Sequence, residues 1–293
     1  MHETLHGCKP GSILAGTGLI RTVRCDMPLR NLGQEFEGST VVHISDLHAG
    51  PLVSQKHLFN LADRVSDLGP DFVAITGDFV TLATPGSIKF AARVAGRIRA
   101  RRAVIACLGN HDYGIWHPMI PRPASRSAGQ LARQLADRGV RVLRNESRTF
   151  FRGEAAIQFV GVDDYWSANY CPSSAFDLID RDTPTIALVH NPDAAIEMAS
   201  WSPDWILAGH THGQATPDTR FWNMVYPTRH KRFVAGQYEV TPMTRLHVSR
   251  GIGGSVCRPG SRKTELTILR MRQDGVHSNT GICLTNPLLQ GVR

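Results

Sequence analysis

The order of apolar runs in the sequence predicts an α/β protein built around a mostly parallel sheet. From residue 40 onwards, short β-rich runs alternate with segments whose apolar residues recur at helical spacing. Two parallel strands joined through a helix almost always form a right-handed crossover, so the alternation favours βαβ units. With 293 residues, of which 42% are hydrophobic, the chain is long and apolar enough to bury a large core.

The first half of the alternation is regular. Ser54 precedes the first amphipathic segment, where an N-cap is expected, and each apolar strand run ends in a polar turn. The predicted elements here are strands at 40–45, 71–78 and 103–110 and helices at 54–69 and 87–100.

The second half begins with an interruption. Three prolines and a tryptophan in 114–129 predict a long loop, and a helix is expected at 130–140. Two tail segments, 244–254 and 264–272, have the pattern of antiparallel strands. The remaining predicted strands lie around 141–144, 156–162, 185–192 and 204–213.

One main domain is expected, because there is no internal repeat, low-complexity tract or obvious linker. We predict an N-terminal extension with a short β segment at 1–39, the main domain at 40–275 and a C-terminal tail at 276–293.

The net charge of the chain bears on its binding partners, and its cysteines bear on the redox state of its cellular compartment. The formal charge of +8 favours anionic partners such as phosphate esters, nucleic acid or an acidic membrane surface, although a solvated basic surface explains it equally well. The six cysteines are scattered without a CxxC pair, so they suggest neither a disulfide framework nor a cysteine metal site and favour a reducing compartment.

The sequence shows no signal-peptide pattern and no run near the roughly 20 apolar residues of a membrane span. A cytoplasmic protein is therefore expected, at most peripheral at the inner face of an anionic membrane. Its oligomeric state is open.

Metal-binding residue types follow five of the predicted strands. In open α/β sheets the carboxyl ends of strands are where ligands bind, so these side chains are expected to share one rim. The motifs are SDLH, TGDF, GNHD, LVHNP and GHTH, with the polar residues Asp46, His48, Asp78, Asn110, His111, Asp112, His190, His210 and His212.

The spacing of these residues indicates a pair of metal ions. In an extended chain, residues two apart point the same way, so Asp46 with His48, and His210 with His212, can converge. Carboxylate, imidazole and amide groups suit Mn, Fe, Zn or Co, and their number suits two ions about 3.5–4 Å apart. Each motif alone is weak, since Gly-Asp is common in turns and Asn191 in HNP could be only a helix cap.

Together, D-x-H, G-D, G-N-H-D, H and G-H-x-H resemble the motif set of the calcineurin-like metallophosphoesterases over about residues 40–270. The resemblance implies a two-sheet αββα sandwich and a dinuclear centre of Mn, Fe or Zn. His111 would be the catalytic histidine, with Asp112 beside it. One metal would be held by Asp46, His48, Asp78 and His212, and the other by Asp78, Asn110, His190 and His210.

Within that family the chain is similar to small bacterial phosphodiesterase-type members, which also carry ITGD, LGNHDY and a late SRGIG. The resemblance implies a phosphodiesterase or pyrophosphate hydrolase in which a metal-bridged hydroxide attacks phosphorus and His111 assists the leaving group. A relative of this group hydrolyses UDP-2,3-diacylglucosamine, so hydrolysis of a lipid precursor at the membrane surface is the alternative.

The chain departs from the family pattern at two places. GHTHGQ has one glycine fewer than the motif of the closer group. Position 81, where many members have an aspartate that orients the catalytic histidine, is Thr81. His111 would then be oriented by Asp112 or by a backbone carbonyl.

Substrate contacts are sought outside the metal ligands. Arg229, Arg250 and Arg258, part of a late basic set, are candidates for binding a phosphate-ester substrate, with a solubilising surface as the alternative. Trp116 in the 114–129 loop could cap an acyl chain or a base, or simply pack on its own domain.

Three rival functions have less support. A metal-binding interaction scaffold on the same fold is disfavoured because the ligand positions and His111 are all present. An amidohydrolase-like enzyme needs an early HxH and a late aspartate, the reverse of the order here. No aromatic residues interleave with the basic ones, which argues against nucleic acid as a partner.

Overall fold

A computed structural model describes residues 9–15, 18–117, 119, 126–213, 232–253 and 264–275, with side chains from residue 20 onwards. The described ranges contain thirteen strands and five α-helices. The strands are β1 (Lys9–Ala15), β2 (Gly18–Leu29), β3 (Thr40–Ile44), β4 (Phe72–Thr76), β5 (Ala103–Cys107), β6 (Val140–Val142), β7 (Glu146–Arg152), β8 (Ala155–Gly161), β9 (Thr185–Leu188), β10 (Trp205–Ala208), β11 (Gly236–Thr241), β12 (Thr244–Val248) and β13 (Glu265–Gln273). The helices are α1 (Gln55–Asp67), α2 (Pro85–Ala95), α3 (Arg126–Ala136), α4 (Pro172–Phe176) and α5 (Ala195–Met198).

The strands form two sheets. The first has the order β1-β2-β13-β3-β4-β5-β6, in which β3 to β6 run parallel. The second has the order β11-β12-β10-β9-β8-β7, in which β12, β10, β9 and β8 run parallel. Within each sheet the carboxyl ends of the parallel strands therefore lie at one edge.

The two sheets pack face to face, with helices on both outer faces. Alternate residues of a strand point to opposite faces, so Val42 of β3 packs against the helical layer that includes α1 to α3. Its neighbour Val41 packs towards the second sheet, among residues such as Phe159 and Leu207. A third cluster joins the outer face of the second sheet to α4 and α5. The predicted two-sheet αββα sandwich is confirmed.

The first helix begins where the sequence indicates, and the second begins before its predicted start at residue 87. The Ser54 side chain accepts a hydrogen bond from the His57 backbone N–H at the start of α1, as predicted. Thr84 caps α2 in the same way, ahead of Pro85. Each cap satisfies a backbone donor that a helix leaves unpaired in its first turn.

One local expectation is wrong, and some elements were not predicted. Helix α3 begins at Arg126, inside the segment predicted as loop, and β7 and α4 were not predicted at all. The two tail segments form strands as predicted, in different sheets, β12 in the second and β13 in the first. Each has one antiparallel neighbour, β11 for β12 and β3 for β13.

Cys25 takes part in a disulfide bond, whereas Cys107 and Cys171 are free. The scatter of cysteines in the sequence did not indicate this pairing. Disulfides persist mainly in oxidising compartments, so the bond does not support the expected reducing one.

Within the described ranges, every helix is too short or too polar to span a bilayer.

Candidate metal centre

The predicted ligands lie in loops that leave the carboxyl ends of strands in both sheets. Asp46 and His48 follow β3, and Asp78 follows β4. Asn110 and His111 lie in a short 3-10 helix after β5. His190 follows β9, and His210 and His212 follow β10. The structure therefore brings residues from five strand ends to one place between the sheets.

The backbone at these residues is unusual. The described part of the chain has eight non-glycine residues with positive φ, and five of them are candidate ligands. L-residues avoid this left-handed region, at a cost of order 1–3 kcal/mol each, and such residues cluster at functional sites. The five are Asp46, His48, Asp78, His210 and His212, with φ values of 56°, 46°, 51°, 69° and 51°.

Glycines allow these loops to approach one another. A Cβ on Gly77, which has φ of +79°, would stand 2.6 Å from the Gly109 nitrogen and 2.7 Å from His190 Nδ1. A Cβ on Gly209 would stand 2.6 Å from Asp46 Oδ2. The glycines of the GD and GHTH motifs are therefore required by close packing at the site.

The ligands form two groups. In each group, one ligand atom from every member lies within 4.8 Å of the others. The first group is Asp46, His48 and His212, and the second is Asp78, His190 and His210.

Asp78 connects the two groups. Its Oδ2 lies 3.2 Å from His190 Nε2 and 3.7 Å from His48 Nε2. Asn110 adds an amide oxygen to the second group, because its Oδ1 lies 3.1 Å from His210 Nδ1. Asp78 thus lies between the two groups, and its bridging of two ions stays a prediction.

The charges of the cluster fit a cation. Burial raises the pKa of Asp46 and lowers the pKa of His48 to about 4. Burial also opposes ionisation of Asp78, but His190 and His111 hold its pKa well below the usual value. Burial works against a proton on His190 as well, yet Asp78 raises the pKa of His190 to about 10. Buried carboxylates thus require positive charge here, either a proton on His190 or bound cations that displace it.

The hydrogen bonds of His190 leave one nitrogen for a metal. Its Nδ1 lies 2.8 Å from the Thr76 carbonyl oxygen, so Nδ1–H donates, and Nε2 holds the proton that a bound cation would displace. The buried Nε2 faces Asp78 Oδ2 at 3.2 Å. Metal-ligating histidines are commonly held in this way, with the second ring nitrogen donating to a carbonyl. The residues therefore fit a pair of divalent ions.

His111 is oriented by a backbone carbonyl. Its Nδ1 lies 3.0 Å from the carbonyl oxygen of Thr81, and its backbone N–H donates to Asp78 Oδ1 at 3.0 Å. The ring of Trp116 packs edge-on against it, with centroids 4.3 Å apart. The Thr81 side chain instead donates to the carbonyl of His48. His111 is therefore oriented by the backbone carbonyl of Thr81 and not by Asp112, the other partner that the sequence allowed.

Asp112 is fully buried and occupied elsewhere. Its carboxylate accepts hydrogen bonds from the backbone N–H groups of Gly109, at 2.9 Å, and Val80, at 3.2 Å. Burial, reinforced by Asp78, raises the pKa of Asp112 to about 8. In this position Asp112 holds together the loops after β4 and β5, and a direct part in the reaction stays a prediction.

Sequence reasoning missed two residues beside the second group. Asp164 is fully buried with Oδ2 unpartnered in the described structure, and burial raises its pKa to about 7, against the lowering effect of His190. Trp166 packs edge-on against His210, with centroids 4.8 Å apart. Both residues follow β8, so a search of the residues after every predicted strand would have found them as well.

The predicted substrate residues are only partly described. Arg229 and Arg258 lie outside the described residues. The Nε atom of Arg250 lies 3.6 Å from Glu265 Oε2, and a Cβ on Gly213, next to His212, would stand 2.6 Å from Arg250 Nη1. Arg250 is thus close to the GHTH loop.

Exposed apolar side chains lie in loops that follow the ligand residues. Leu82 follows Thr81, and Trp116 covers His111. Leu52 lies in the loop after His48, which a β-bridge between Ala49 and Val80 joins to the Leu82 loop. We call the exposed side chains of Leu52, Leu82, Trp116 and Met119 the apolar rim.

An αββα sandwich with two carboxylate–imidazole groups at its strand ends is the architecture of a two-metal hydrolase. A model of the calcineurin-like phosphoesterases matches residues 39–214. The chain belongs to this family, as the sequence motifs predicted.

Three curated relatives show the range of similar proteins. The chain is 27% identical over 280 residues to "UDP-2,3-diacylglucosamine pyrophosphatase LpxG" of Chlamydia trachomatis, covering 80% of this chain and 84% of the relative. It is 25% identical over 237 residues to "Phosphodiesterase YaeI" of Escherichia coli, covering 79% and 81%. It is 28% identical over 283 residues to "Transmembrane protein with metallophosphoesterase domain" of Danio rerio, covering 89% of this chain but only 61% of that relative.

Proposed function

We propose that this chain is a hydrolase of phosphodiesters or pyrophosphates that uses two divalent metal ions. The observation that carries this proposal is the pair of ligand groups that share Asp78 at the strand ends of both sheets. Asp46, His48, Asp78 and His212 would hold one ion, and Asp78, Asn110, His190 and His210 the other. Bound there, Mn, Fe or Zn would neutralise phosphate oxygens and make an attacking water more acidic.

His111 would protonate or hydrogen-bond the leaving oxygen. Its Nδ1–H is held by the Thr81 carbonyl, so Nε2 is the atom left for the substrate. The side chain is 18% exposed, which gives Nε2 access to a substrate at the rim of the site. A positioned histidine that transfers a proton contributes about 10²- to 10⁴-fold in rate.

A lipid-linked substrate is the second candidate. Within the apolar rim, Trp116 packs on His111 and Leu82 adjoins Thr81, so an acyl chain on the substrate would meet apolar side chains there. Exposed apolar clusters of this kind mark binding sites for lipids or proteins. The name of the chlamydial relative is consistent with a pyrophosphate substrate that carries acyl chains. A non-enzymatic, metal-binding scaffold is the remaining alternative.

Hydrolysis of two synthetic esters tests the proposal. Protein stripped of metal is assayed with nitrophenyl phosphate and with bis(nitrophenyl) phosphate after separate addition of Mn, Zn, Fe(II) or Mg. We expect the diester to be cleaved when a transition metal returns. Protein that binds two ions but cleaves neither of these esters, nor a lipid pyrophosphate, would support the scaffold instead.

A lipid-linked substrate is tested with variants of the apolar rim. Leu52→Ser/Leu82→Ser should weaken hydrolysis of an acylated pyrophosphate and leave bis(nitrophenyl) phosphate unaffected. Met243→Ser is a matched control, because Met243 is exposed in the turn between β11 and β12, outside the rim. Equal loss with both substrates would contradict a lipid role for the rim.

A further inference from the structure

A cleft lined by arginines lies at the end of the sheets opposite the metal centre. Arg101 and Arg102 directly precede β5, Asp71 precedes β4, and Ser39 precedes β3, whereas the metal ligands follow these same strands. A five-residue strand is about 16 Å long, so the two sites are separated by at least that distance. We call Arg101, Arg102, Arg141 and Arg152, around a volume of about 740 Å³, the arginine cleft.

The positive charge of the arginine cleft is only partly balanced within it. Among the described residues, no carboxylate lies within 4 Å of the guanidinium nitrogens of Arg102, Arg141 or Arg152. Arg101 does pair with a lining carboxylate, since its Nη1 lies 3.8 Å from Asp71 Oδ1, but its side chain is mostly exposed to solvent.

The two acids that line the cleft also contact groups outside the four arginines. Glu37 pairs with Arg272 at 3.0 Å and accepts the Gln273 backbone N–H at 2.8 Å. Asp71 accepts the backbone N–H of Thr40 at 2.9 Å. Four guanidinium groups thus face two carboxylates, one of which pairs with Arg272, so the cleft keeps a net positive charge.

Three of these guanidinium groups are held in place by neutral partners. Arg102 stacks over Phe36 at 5.1 Å from the ring centroid and donates to the Phe151 carbonyl at 3.2 Å. Arg141 lies over Phe150 at 5.7 Å. Arg152 donates to the Glu35 carbonyl at 2.6 Å.

These contacts fix the side chains but leave most of their donors unused. Each guanidinium carries five N–H donors, and its planar fork matches phosphate oxygens in pairs. Stacking and a carbonyl contact use at most one or two of them. Holding rotamer-rich side chains in place before binding reduces the entropy lost when a ligand arrives.

We propose that the arginine cleft is a second anion site, which binds a ligand carrying two or more phosphate groups. Preoriented guanidinium groups around one volume, three of them without a carboxylate partner among the described residues, are the arrangement that recognises clustered phosphate oxygens. A merely solubilising surface does not require stacked, carbonyl-anchored arginines around one volume. The ligand is a soluble polyphosphate or an anionic lipid head group, and the largely exposed ring of Phe151 beside the cleft is compatible with either.

Calorimetry with sodium tripolyphosphate tests binding of a soluble polyphosphate. Flotation with phosphatidylglycerol vesicles tests binding of an anionic lipid head group, and phosphatidylcholine vesicles are the control. Both use the full chain in an Asp78→Asn background without added metal, so that capture by the metal centre does not contribute. Arg141→Gln/Arg152→Gln should weaken binding by at least about tenfold, because it removes two charge-assisted contacts. Arg93→Gln/Arg133→Gln is the control, since it removes two exposed charges from α2 and α3 on the outer face.

Binding of either probe that weakens in the cleft variant but not in the control supports the site. The probe that binds shows whether the ligand is a soluble polyphosphate or a lipid head group. Absence of binding to both probes, or an equal loss in the control, would overturn the proposal. With wild-type Asp78, the cleft variant should cleave nitrophenyl esters at the normal rate, and a parallel loss of hydrolysis would contradict a separate site. If the double variant melts early, Arg141→Gln alone replaces it, because that side chain makes no hydrogen bond with the described residues.

Discussion

Two sets of buried histidines lie close together between the sheets, and their surroundings differ. His43 of β3 and His247 of β12 point into the core, where their Nδ1 atoms are 2.9 Å apart. The histidines of the metal centre stand just beyond the strand ends, beside Asp46 and Asp78. The side chain is the same in both sets, so its neighbours decide the role.

The inner pair is satisfied by neutral groups. His43 Nε2 lies 2.9 Å from the Thr76 hydroxyl, and burial lowers the pKa of both His43 and His247, the latter to about 4. By contrast, the centre combines carboxylates, left-handed backbone and a ring nitrogen without a hydrogen bond. Burial alone thus gives a paired neutral histidine, whereas burial beside carboxylates gives a ligand.

Thr76 connects the two sets. Its hydroxyl contacts His43, and its carbonyl accepts from the Ser45 hydroxyl and from His190 Nδ1. The following variants separate support for the fold from metal binding and catalysis.

The largest effect is expected for Asp78→Asn, which removes the carboxylate that joins both ligand groups. Loss of a hydrogen-bond partner behind a metal ligand already costs about 10- to 100-fold. Loss of the shared ligand should therefore cost more than about 100-fold in activity and most of the bound metal. Metal analysis and ester hydrolysis measure this, with Asp63→Asn as the control, since Asp63 is an exposed partner of Arg97. Full metal content in Asp78→Asn would contradict the bridging role.

His111→Ala should reduce turnover by about 10²- to 10⁴-fold with metal content retained, because His111 acts on the leaving oxygen. The loss should be greater for a methyl ester than for a nitrophenyl ester, whose leaving group needs little protonation. Steady-state rates with both esters give the comparison. The same loss with both, or loss of metal, would remove His111 from this role.

His247→Leu should affect the fold and leave the metals in place. It leaves His43 Nδ1 unpaired in the core, which costs about 1–3 kcal/mol in the free energy of unfolding. Urea unfolding measures the cost. Unchanged stability together with lost metal would reverse the roles assigned to the two sets of histidines.

The same variant should alter the response to acid. The pKa of His247 is near 4 when folded and near 6.5 when unfolded, so between these values the unfolded chain binds the extra proton. This histidine therefore costs wild-type stability as the pH falls from about 6.5 to 4. His247→Leu should lose less stability over that range, and urea midpoints at several pH values would reveal it.

Thr81→Val should have the smallest effect. The backbone carbonyl that orients His111 remains, and only the hydrogen bond to the His48 carbonyl is lost, worth about 0.5–1.5 kcal/mol. Turnover should stay close to wild type while the melting temperature falls slightly. A loss as large as that of His111→Ala would show that the Thr81 side chain itself supports catalysis.

Strand ends made much of the centre predictable. Buried strands are short apolar runs, so the order of residues alone assigns the polar side chains after 40–45, 71–78 and 103–110 to one rim. The residues alone indicated a mostly parallel sheet, and the division into two sheets came from the family resemblance. The edge strand β7 was missed because its exposed, charged residues Arg148 and Arg152 hide the apolar pattern.

Contacts made by the backbone could not be predicted. The carbonyls of Thr76 and Thr81 hold His190 and His111, and a carbonyl leaves no mark in the residue sequence. The arginine cleft was not predicted from the sequence for a related reason. Arg101, Arg141 and Arg152 are far apart along the chain and meet only where the two sheets come together.

The most direct measurement is an anomalous diffraction map of crystals loaded with manganese. We expect two peaks about 3.5–4 Å apart, one among Asp46, His48 and His212 and one among Asp78, His190 and His210. A single peak, or no peak at this position in manganese-saturated crystals, would contradict a two-metal centre.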